Sequence, residues 1–523
     1  TFAELDQRVS RAAEWLSEKE IRAGDVVALV GSNSAALVVL LLGVDRLGAT
    51  AALLGSESSV PLLEQALRRA APRAVCVEAR SSVRVPAEFR SFRFGGSEFT
   101  SAPRAVADHA QSARFGSATG ERDFAFVYTS GTTGPMKAAR VTNRRALLAA
   151  TAFGHLVHRT GPGDIVYCAL PLHHSSALLL GLGVCLVTGA GLALRRRFSA
   201  SAFWADVHEF RATVFLYVGE LPAALLAQPP STAERDHSLR LAVGNGLRPE
   251  LWRPFRERFG VRHIHEFYAA TEFPGAIVNL TGRDGSVGHI PLERARGYRL
   301  VRVDVETLEL VRDARGRAIE CAPGEPGELV LRLRPAARRA TGDYAGYVGE
   351  QSHGSRLARD LFRRGDLYCR SGDLLRRDRA GNYWFVDRLG DSFRFKGENV
   401  SSRELERLLR ECPGVDAAAV VGVRVPGIDG QPPLAVLSVS GEFEQGSFER
   451  HVAELPSHAR PCFLRFASGL AMTESMKVRK RALAQAGVDP AASSDTIWYR
   501  RGTRYERLTP NVYACLSAGD VRF

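Results

Sequence analysis

At 523 residues, 45% hydrophobic and 24% charged, the chain has the balance of a folded globular protein and is too long for one core, so two or more domains are expected. Its 70 Lys and Arg outnumber its 57 Asp and Glu, a net charge of +13. That surplus suits an anionic substrate or a membrane surface; the arginines are scattered and no aromatic stripe accompanies them, which argues against a nucleic-acid face.

The chain opens on "TFAELDQRVSRAAEWL", where Thr1 and Glu4 have capping-box spacing ahead of a helical apolar pattern. No signal peptide is visible, and an opening on a helix cap leads us to expect that earlier residues are missing. "GDVVALVG" (24–31) predicts a strand, "SAALVVLLLGVDRLG" (34–48) a helix, "ATAALLG" (49–55) a strand, "PLLEQALRRA" (61–70) a helix and "AVCVEA" (74–79) a strand. "DFAFVYTS" (123–130), "DIVYCALP" (164–171), "ATVFLYVG" (212–219) and "LRLAVGNG" (239–246) continue the rhythm. Alternating strands and helices predict a mostly parallel, helix-covered sheet of the α/β class.

Ser175 to Leu194 carries no charge over twenty residues, about the length that spans a bilayer. Gly181, Gly183, Gly189 and Gly191 interrupt it, so a buried helix followed by a short strand is expected instead. A cytoplasmic protein is expected, with peripheral membrane contact left open. The eight cysteines show no CxxC and no zinc spacing, and are expected as free thiols in a reducing compartment.

After about residue 298 the apolar period becomes two, in "YRLVRVDVETLELV", "GELVLRLR" and "GNYWFVDRLGDSFRFKG", which predicts a smaller antiparallel, β-barrel-like sheet. From about 391 a further α+β unit follows. A hinge is placed at Asp387–Asp391, separating a large N-terminal domain, 1–389, from a small C-terminal domain, 390–523.

Several stretches carry chemistry. Thr129, Ser130, Gly131, Thr132, Thr133, Gly134 and Lys137 follow a strand, and their hydroxyls, glycine N–H groups and ammonium suit phosphate oxygens. The loop is not a Walker motif, because Pro135 and Met136 separate Gly134 from Lys137. "EFYAATE" (266–272) gathers Tyr268 for a flat base, Thr271 for a phosphate and Glu272 for Mg²⁺; read alone it is also a helix start with a surface Glu. Asp373 in "RSGDLL" suits a diol and is equally a turn former. Arg394, Lys396 and Gly397 in "FRFKGENV" read alone as a solvated hairpin, and Lys477 in "SMKVRK" as a solvated basic face.

The order of "YTSGTTG…K", "LPLHHSS", "GNGLRPELWRPFRERFG", "EFYAATE", "RSGDLL", "FVDRLGDSFRFKGENVSS" and "MKVRK" resembles the adenylate-forming superfamily of acyl-CoA synthetases, peptide-synthetase adenylation domains and luciferases. "VGNGLRPELW", "LYVGEL" and "FSASAFW" resemble its fatty-acid-transport-protein, or very-long-chain acyl-CoA synthetase, branch. The resemblance covers nearly the whole chain. It implies a large domain holding ATP and substrate and a small mobile domain. It also implies a two-step reaction: an acid attacks the α-phosphate of ATP, releasing pyrophosphate, and CoA then takes the acyl group. The cofactors so implied are ATP, Mg²⁺ and CoA, and the partner is a small-molecule fatty or aryl acid.

By the same resemblance, Thr129–Gly134 and Lys137 match the β/γ-phosphate loop. Gly244, Asn245 and Gly246 match the turn lining adenine, and Glu266, Phe267 and Tyr268 the strip beside it. Thr271 is expected at the α-phosphate and Glu272 as the Mg²⁺ ligand. Asp373, helped by Arg388, matches the ribose site, and Gly390 the hinge. Arg394, Lys396 and Gly397 match the loop beside the CoA pantetheine, Lys477 the mobile catalytic lysine, and His174 a histidine near the acyl and thiol channel.

Three departures fall on the acid side. Phe273-Pro274 replaces a usual Gly-Asn, "LGSESSV" (54–60) replaces an Asn- and Arg-containing stretch, and His173 replaces a usual Tyr. A diazotase-like relative of bacterial secondary metabolism, activating nitrite and passing it to an aryl amine, is therefore the alternative. A lipid carrier without catalysis is disfavoured by the presence of Glu272, Asp373 and Lys477.

Overall fold

The computed structural model of the chain describes residues 1–95, 97–99, 120–129, 137–333, 344–349, 356–472, 478–492, 495–519 and 523. They form two compact units. One is built from the chain up to Pro291 with the run ending at Leu357, the other from Leu292–Arg332 and Ala358–Phe523.

In the first unit, β1 (Val26–Gly31), β2 (Thr50–Gly55), β3 (Ala74–Glu78), β4 (Ser91–Phe94), β5 (Asp123–Thr129) and β6 (Lys137–Thr142) make a sheet in the order β4-β3-β1-β2-β5-β6. Neighbours are parallel except β5 and β6, an antiparallel hairpin. Buried on both faces, the central strands read as unbroken Val, Ala and Leu, as a helix-covered parallel sheet requires. Val27 and Leu29 pack with Leu16 and Leu40 of the helices Phe2–Glu18 and Ala35–Arg46. Ala28 and Val30, pointing the other way, pack with Leu63 and Leu67 of Val60–Ala70. The helix starts are fixed locally: Thr1 forms the expected capping box with Glu4, and Ser34 accepts from the Leu37 amide.

A second sheet holds β7 (Ile165–Cys168), β8 (Gly191–Leu194), β9 (Val214–Val218), β10 (Leu241–Asn245) and β11 (His263–Ala269), parallel in the order β8-β7-β9-β10-β11. β12 (Ala276–Asn279) and β13 (Gly288–His289) continue it antiparallel. The uncharged stretch is π-helical over Ser176–Gly183 and α-helical over Val184–Thr188, then turns at Gly189 into β8. Its Leu178, Leu180 and Leu182 belong to the core, and no helix among the described residues is long and apolar enough to cross a membrane. Reading "EFYAATE" as a helix start is corrected: Glu266–Ala269 end β11, all four paired with β12 and Glu266 with β10 as well, and a turn follows.

In the second unit, β14 (Tyr298–Val301), β15 (Pro326–Arg332), β16 (Leu357–Arg359), β17 (Leu367–Arg377) and β18 (Asn382–Arg388) supply the predicted antiparallel sheet; β15 pairs with β14 and β17, and β17 with β18. β19 (Phe393–Phe395) and β20 (Glu398–Val400) form a hairpin. β21 (Val415–Gly422), β22 (Pro433–Val439), β23 (Phe463–Phe466), β24 (Ile497–Arg501) and β25 (Arg504–Arg507) make a mixed sheet in that order. Helices Ser402–Arg410 and Gln445–Glu454 share its core through Leu405, Leu409, Phe448 and Val452. All eight cysteines are free, and only Cys515 is exposed.

Candidate active site

The carboxyl ends of β9, β10 and β11 lie side by side, the place where open parallel sheets bind ligands. Gly244 and Asn245 end β10, and Gly246 follows in the turn. A Cβ on Gly244 would meet the Tyr217 carbonyl oxygen at 2.3 Å, and Gly246 has φ +86°, so both positions require glycine. The turn is held by Glu266, which is 3% exposed. One oxygen of its carboxylate accepts the Gly246 amide and, at 3.1 Å, the Leu247 amide; the other accepts the Tyr217 hydroxyl at 2.5 Å. Burial, then the Glu266 charge, pushes the Tyr217 phenol well above its ordinary pKa, so it remains a donor. Nothing in the sequence singled out Tyr217; its alternation on a buried strand hides it among core residues.

Along β11 the side chains alternate. Phe267 turns into the core, its ring 5.1 Å edge-on from Phe153. Tyr268 is buried beside the Phe273 ring, at 6.4 Å. The following turn is tied by Arg145, which donates to the carbonyls of Ala270 at 3.1 Å and Phe273 at 2.9 Å. The Thr271 hydroxyl is 2.8 Å from the Ser175 hydroxyl, so "LPLHHSS" and "EFYAATE" meet. His174 donates its amide to Pro171, and its ring lies 4.5 Å from that of His173. Asn33 fixes the start of this loop: its amide donates to Leu170 and Arg195 carbonyls and its oxygen accepts from Leu172.

Glu272 is not the surface residue that its local sequence allowed. Its carboxylate is 2.9 Å from Arg356 Nη2. Lys137 opens β6 opposite Thr129, and its ammonium lies 4.9 Å from the Tyr347 ring centroid. Residues 346–348 run along β6: the Arg140 amide donates to Gly346 and the Val348 amide to Ala138. Ser130, Gly131, Thr132, Thr133 and Gly134 lie outside the described residues, as does Lys477. No group of three or more His, Cys, Asp or Glu among the described residues forms a metal cage. A single carboxylate nonetheless fits Mg²⁺ that arrives on phosphates, the usual mode for that ion.

In the second unit, Asp373 and Arg388 are direct cross-strand partners between β17 and β18. The turn expected at Asp373 is instead an irregularity inside β17: Gly372, φ +74°, is held there by buried Glu328, which accepts its amide at 2.8 Å and pairs with Arg370 at 2.6 Å. Asp387, 3% exposed, accepts from the Arg388 amide at 2.8 Å and the hydroxyls of Ser401 and Ser402 at 3.1 and 3.0 Å. Gly390 lies in the turn closed by the Asp391 amide on the Arg388 carbonyl. Arg394 donates to the Gly397 carbonyl across the β19–β20 turn, with Lys396 and Gly397 at its tip.

The sequence pattern of the AMP-binding enzyme family matches residues 1–338, and that of the AMP-binding enzyme C-terminal domain residues 404–477. Long-chain fatty acid transport protein 1 of Rattus norvegicus is 36% identical over 99% of this chain and 83% of its own length. Long-chain fatty acid transport protein 2 of the same organism is 34% identical over 98% and 86%. Among solved structures, o-succinylbenzoate CoA synthetase from Bacillus subtilis, bound to its acyl-adenylate intermediate, superposes with a TM-score of 0.75 at 23% identity, covering 92% of this chain and 93% of its own. The anthranilate CoA ligase AuaEII with anthranoyl-AMP superposes with 0.75 at 24% identity, covering 94% and 93%. These two share the fold. The chain belongs to the AMP-binding, adenylate-forming enzyme family, as an AMP-forming ligase of its fatty acid transport protein branch.

Proposed function

We propose that the protein activates a carboxylic acid, a long-chain fatty acid in the first instance, as its acyl adenylate and then transfers the acyl group to CoA. The observation that carries this reading is the glycine turn, Thr271 and Glu272 following adjacent parallel strands at their carboxyl ends, in a chain related throughout to fatty acid transport proteins. In the first step a carboxylate oxygen attacks the α-phosphorus and pyrophosphate leaves. Thr271 donates to an α-phosphate oxygen, oriented by its contact with Ser175. Lys137 and the hydroxyls of Thr129–Gly134 stabilise the departing charge. Glu272 holds Mg²⁺, which neutralises phosphate charge when bound.

Tyr268 lies against adenine and Glu266 keeps the 244–246 turn in place. Asp373 accepts from the ribose hydroxyls with Arg388 at its side. Lys477 bridges the acid and the ribose-side oxygens. The C-terminal domain, 390–523, then turns about Asp387–Asp391. Arg394, Lys396 and Gly397 guide the CoA thiol to the acyl carbon near His174; the thiol loses its proton, the C–S bond forms and AMP leaves.

The test is a panel of fatty acids, aryl acids and nitrite, incubated with ATP and Mg²⁺, with and without CoA. Pyrophosphate release with a carboxylic acid and a CoA thioester product are expected. Release with nitrite alone, and transfer to an aryl amine, would replace this reading with the diazotase one.

A further inference from the structure

Arg356 stands 84 residues beyond Glu272 in the chain and is brought to it at 2.9 Å. The two side chains are 27% and 14% exposed, so this pair is more shielded than an ordinary surface bridge. Upstream of Arg356, residues 346–348 are hydrogen-bonded along β6, and Tyr347 lies over the Lys137 ammonium. One stretch of chain thus brings partners to both charges that would serve a metal triphosphate. The opposite signs of the partners matter. A π face offers Lys137 a mild attraction that a phosphate easily exceeds. A guanidinium on Glu272 occupies a carboxylate oxygen and repels a dication approaching the same group.

We propose that Arg356 competes with Mg²⁺ for the Glu272 carboxylate, acting as a resident counter-cation that the incoming metal–nucleotide complex displaces. Arg356 is then a positioning residue that sets how much Mg²⁺ the site needs. It keeps Glu272 paired, and so the turn after β11 settled, when no metal is present. Mg²⁺ binds through a carboxylate in a strict octahedral geometry, and a guanidinium 2.9 Å from that carboxylate repels the dication and draws on the same negative charge, so each weakens the other's hold on Glu272. This inference rests on Glu272 being the metal ligand.

The experiment is Mn²⁺ binding to the full chain, followed by electron paramagnetic resonance with α,β-methylene-ATP present. R356Q is expected to bind Mn²⁺ more tightly than the parent protein, by roughly 5-fold or more if the coupling is of ordinary allosteric size; R356K is expected to stay close to it. In EDTA, R356Q is expected to melt earlier and to regain its stability with Mg²⁺ and the analogue. R356M, which keeps the apolar stem, answers the same question if R356Q does not fold. Unchanged or weaker Mn²⁺ binding by the charge-removing variant overturns the competition. E272Q separates the two layers. Weakened Mn²⁺ binding in E272Q with no effect of R356Q defeats only the competition, whereas Mn²⁺ binding unaffected by E272Q removes the metal role of Glu272 itself.

Discussion

The buried Glu266 carboxylate accepts the Gly246 amide, and through this bond β11 holds the glycine turn at the end of β10. The same carboxylate oxygen also takes the Leu247 amide, and the other takes Tyr217. Glu266→Gln replaces one acceptor by an NH₂ donor, which then faces either two amides or a phenol. The expected loss is about 1–3 kcal/mol of unfolding free energy, the cost of leaving a buried polar group unsatisfied, with weakened ATP binding. Denaturant unfolding and nucleotide titration check both. A variant within about 0.5 kcal/mol of the parent, with unchanged ATP affinity, would show that the pair supports neither.

A second prediction concerns His158, which closes a π-helical turn and is fully buried. Neither ring nitrogen has a hydrogen-bond partner among the described residues. Burial first, then the nearby His265 and Arg240, pushes its pKa down to about 3. The folded protein therefore keeps the ring neutral, while the unfolded chain binds a proton below about 6.5. Stability from this group is complete above that value and declines as the pH falls toward 3, by up to about 1.4 kcal/mol per pH unit. His265, also shifted down by burial, adds to the slope. His158→Leu should flatten the fall of melting temperature between pH 6.5 and 5 without removing it. A melting profile that tracks the parent across this range would sink the assignment.

How much of this was legible beforehand depended on how far apart the partners lie in sequence. Strands β1, β2, β3, β5, β7, β9 and β10 announce themselves by local apolar runs and the Thr1–Glu4 cap by its spacing, whereas β11, whose end read as a helix start, and the short β4 and β6 do not. The uncharged run 175–194 also resolved from its own glycines. Glu272 did not, because the guanidinium that pairs with it arrives from 84 residues away. Asp373 reads locally as a turn former but lies inside β17, and its position opposite Arg388 is a matter of β17–β18 register, including an irregularity at Leu374/Leu375. The departure at "GSESS" acquires a context of the same kind: the hydroxyl of Ser56 lies 2.6 Å from that of Ser32, and Glu57 pairs with Arg197. Periodicity carries no information about such distant pairs.

The β19–β20 turn gives a third prediction. Lys396 has φ +53° and Gly397 φ +77°, a two-residue hairpin in which both central residues are left-handed, where Asn-Gly is the favoured pair. A lysine there costs roughly 1–2 kcal/mol. Lys396→Asn should raise the stability of the unit by a few tenths to about 1 kcal/mol, while lowering thioester formation relative to adenylation if the ammonium serves CoA. Half-reactions measured separately resolve the two effects. Higher stability with an undiminished thioester rate would leave Lys396 outside the CoA path.

The last prediction concerns the pair formed by Glu406 and Lys480, at 2.7 Å, with side chains only 12% and 14% exposed. Burial raises the Glu406 pKa, opposed by the Lys480 charge, its hydrogen bond and the Val420 amide. Lys480 also reaches Ser402, which is bound to Asp387. Lys480 lies three residues after Lys477 and begins the helix Lys480–Ala486, so the pair fastens the chain beside the expected catalytic lysine to the helix Ser402–Arg410. Glu406→Ala leaves a shielded ammonium without its carboxylate and is expected to cost about 3–5 kcal/mol. Replacing both, Glu406→Leu with Lys480→Met, should restore most of that stability, because shape is kept and no charge is stranded. Adenylation should remain depressed in the double variant, since a nonpolar pair lets the lysine-bearing run shift where the ionic pair does not. Pyrophosphate release at saturating ATP, set beside the denaturation midpoint, distinguishes the outcomes. Parent-level adenylation in a stable double variant would limit this pair to holding the fold.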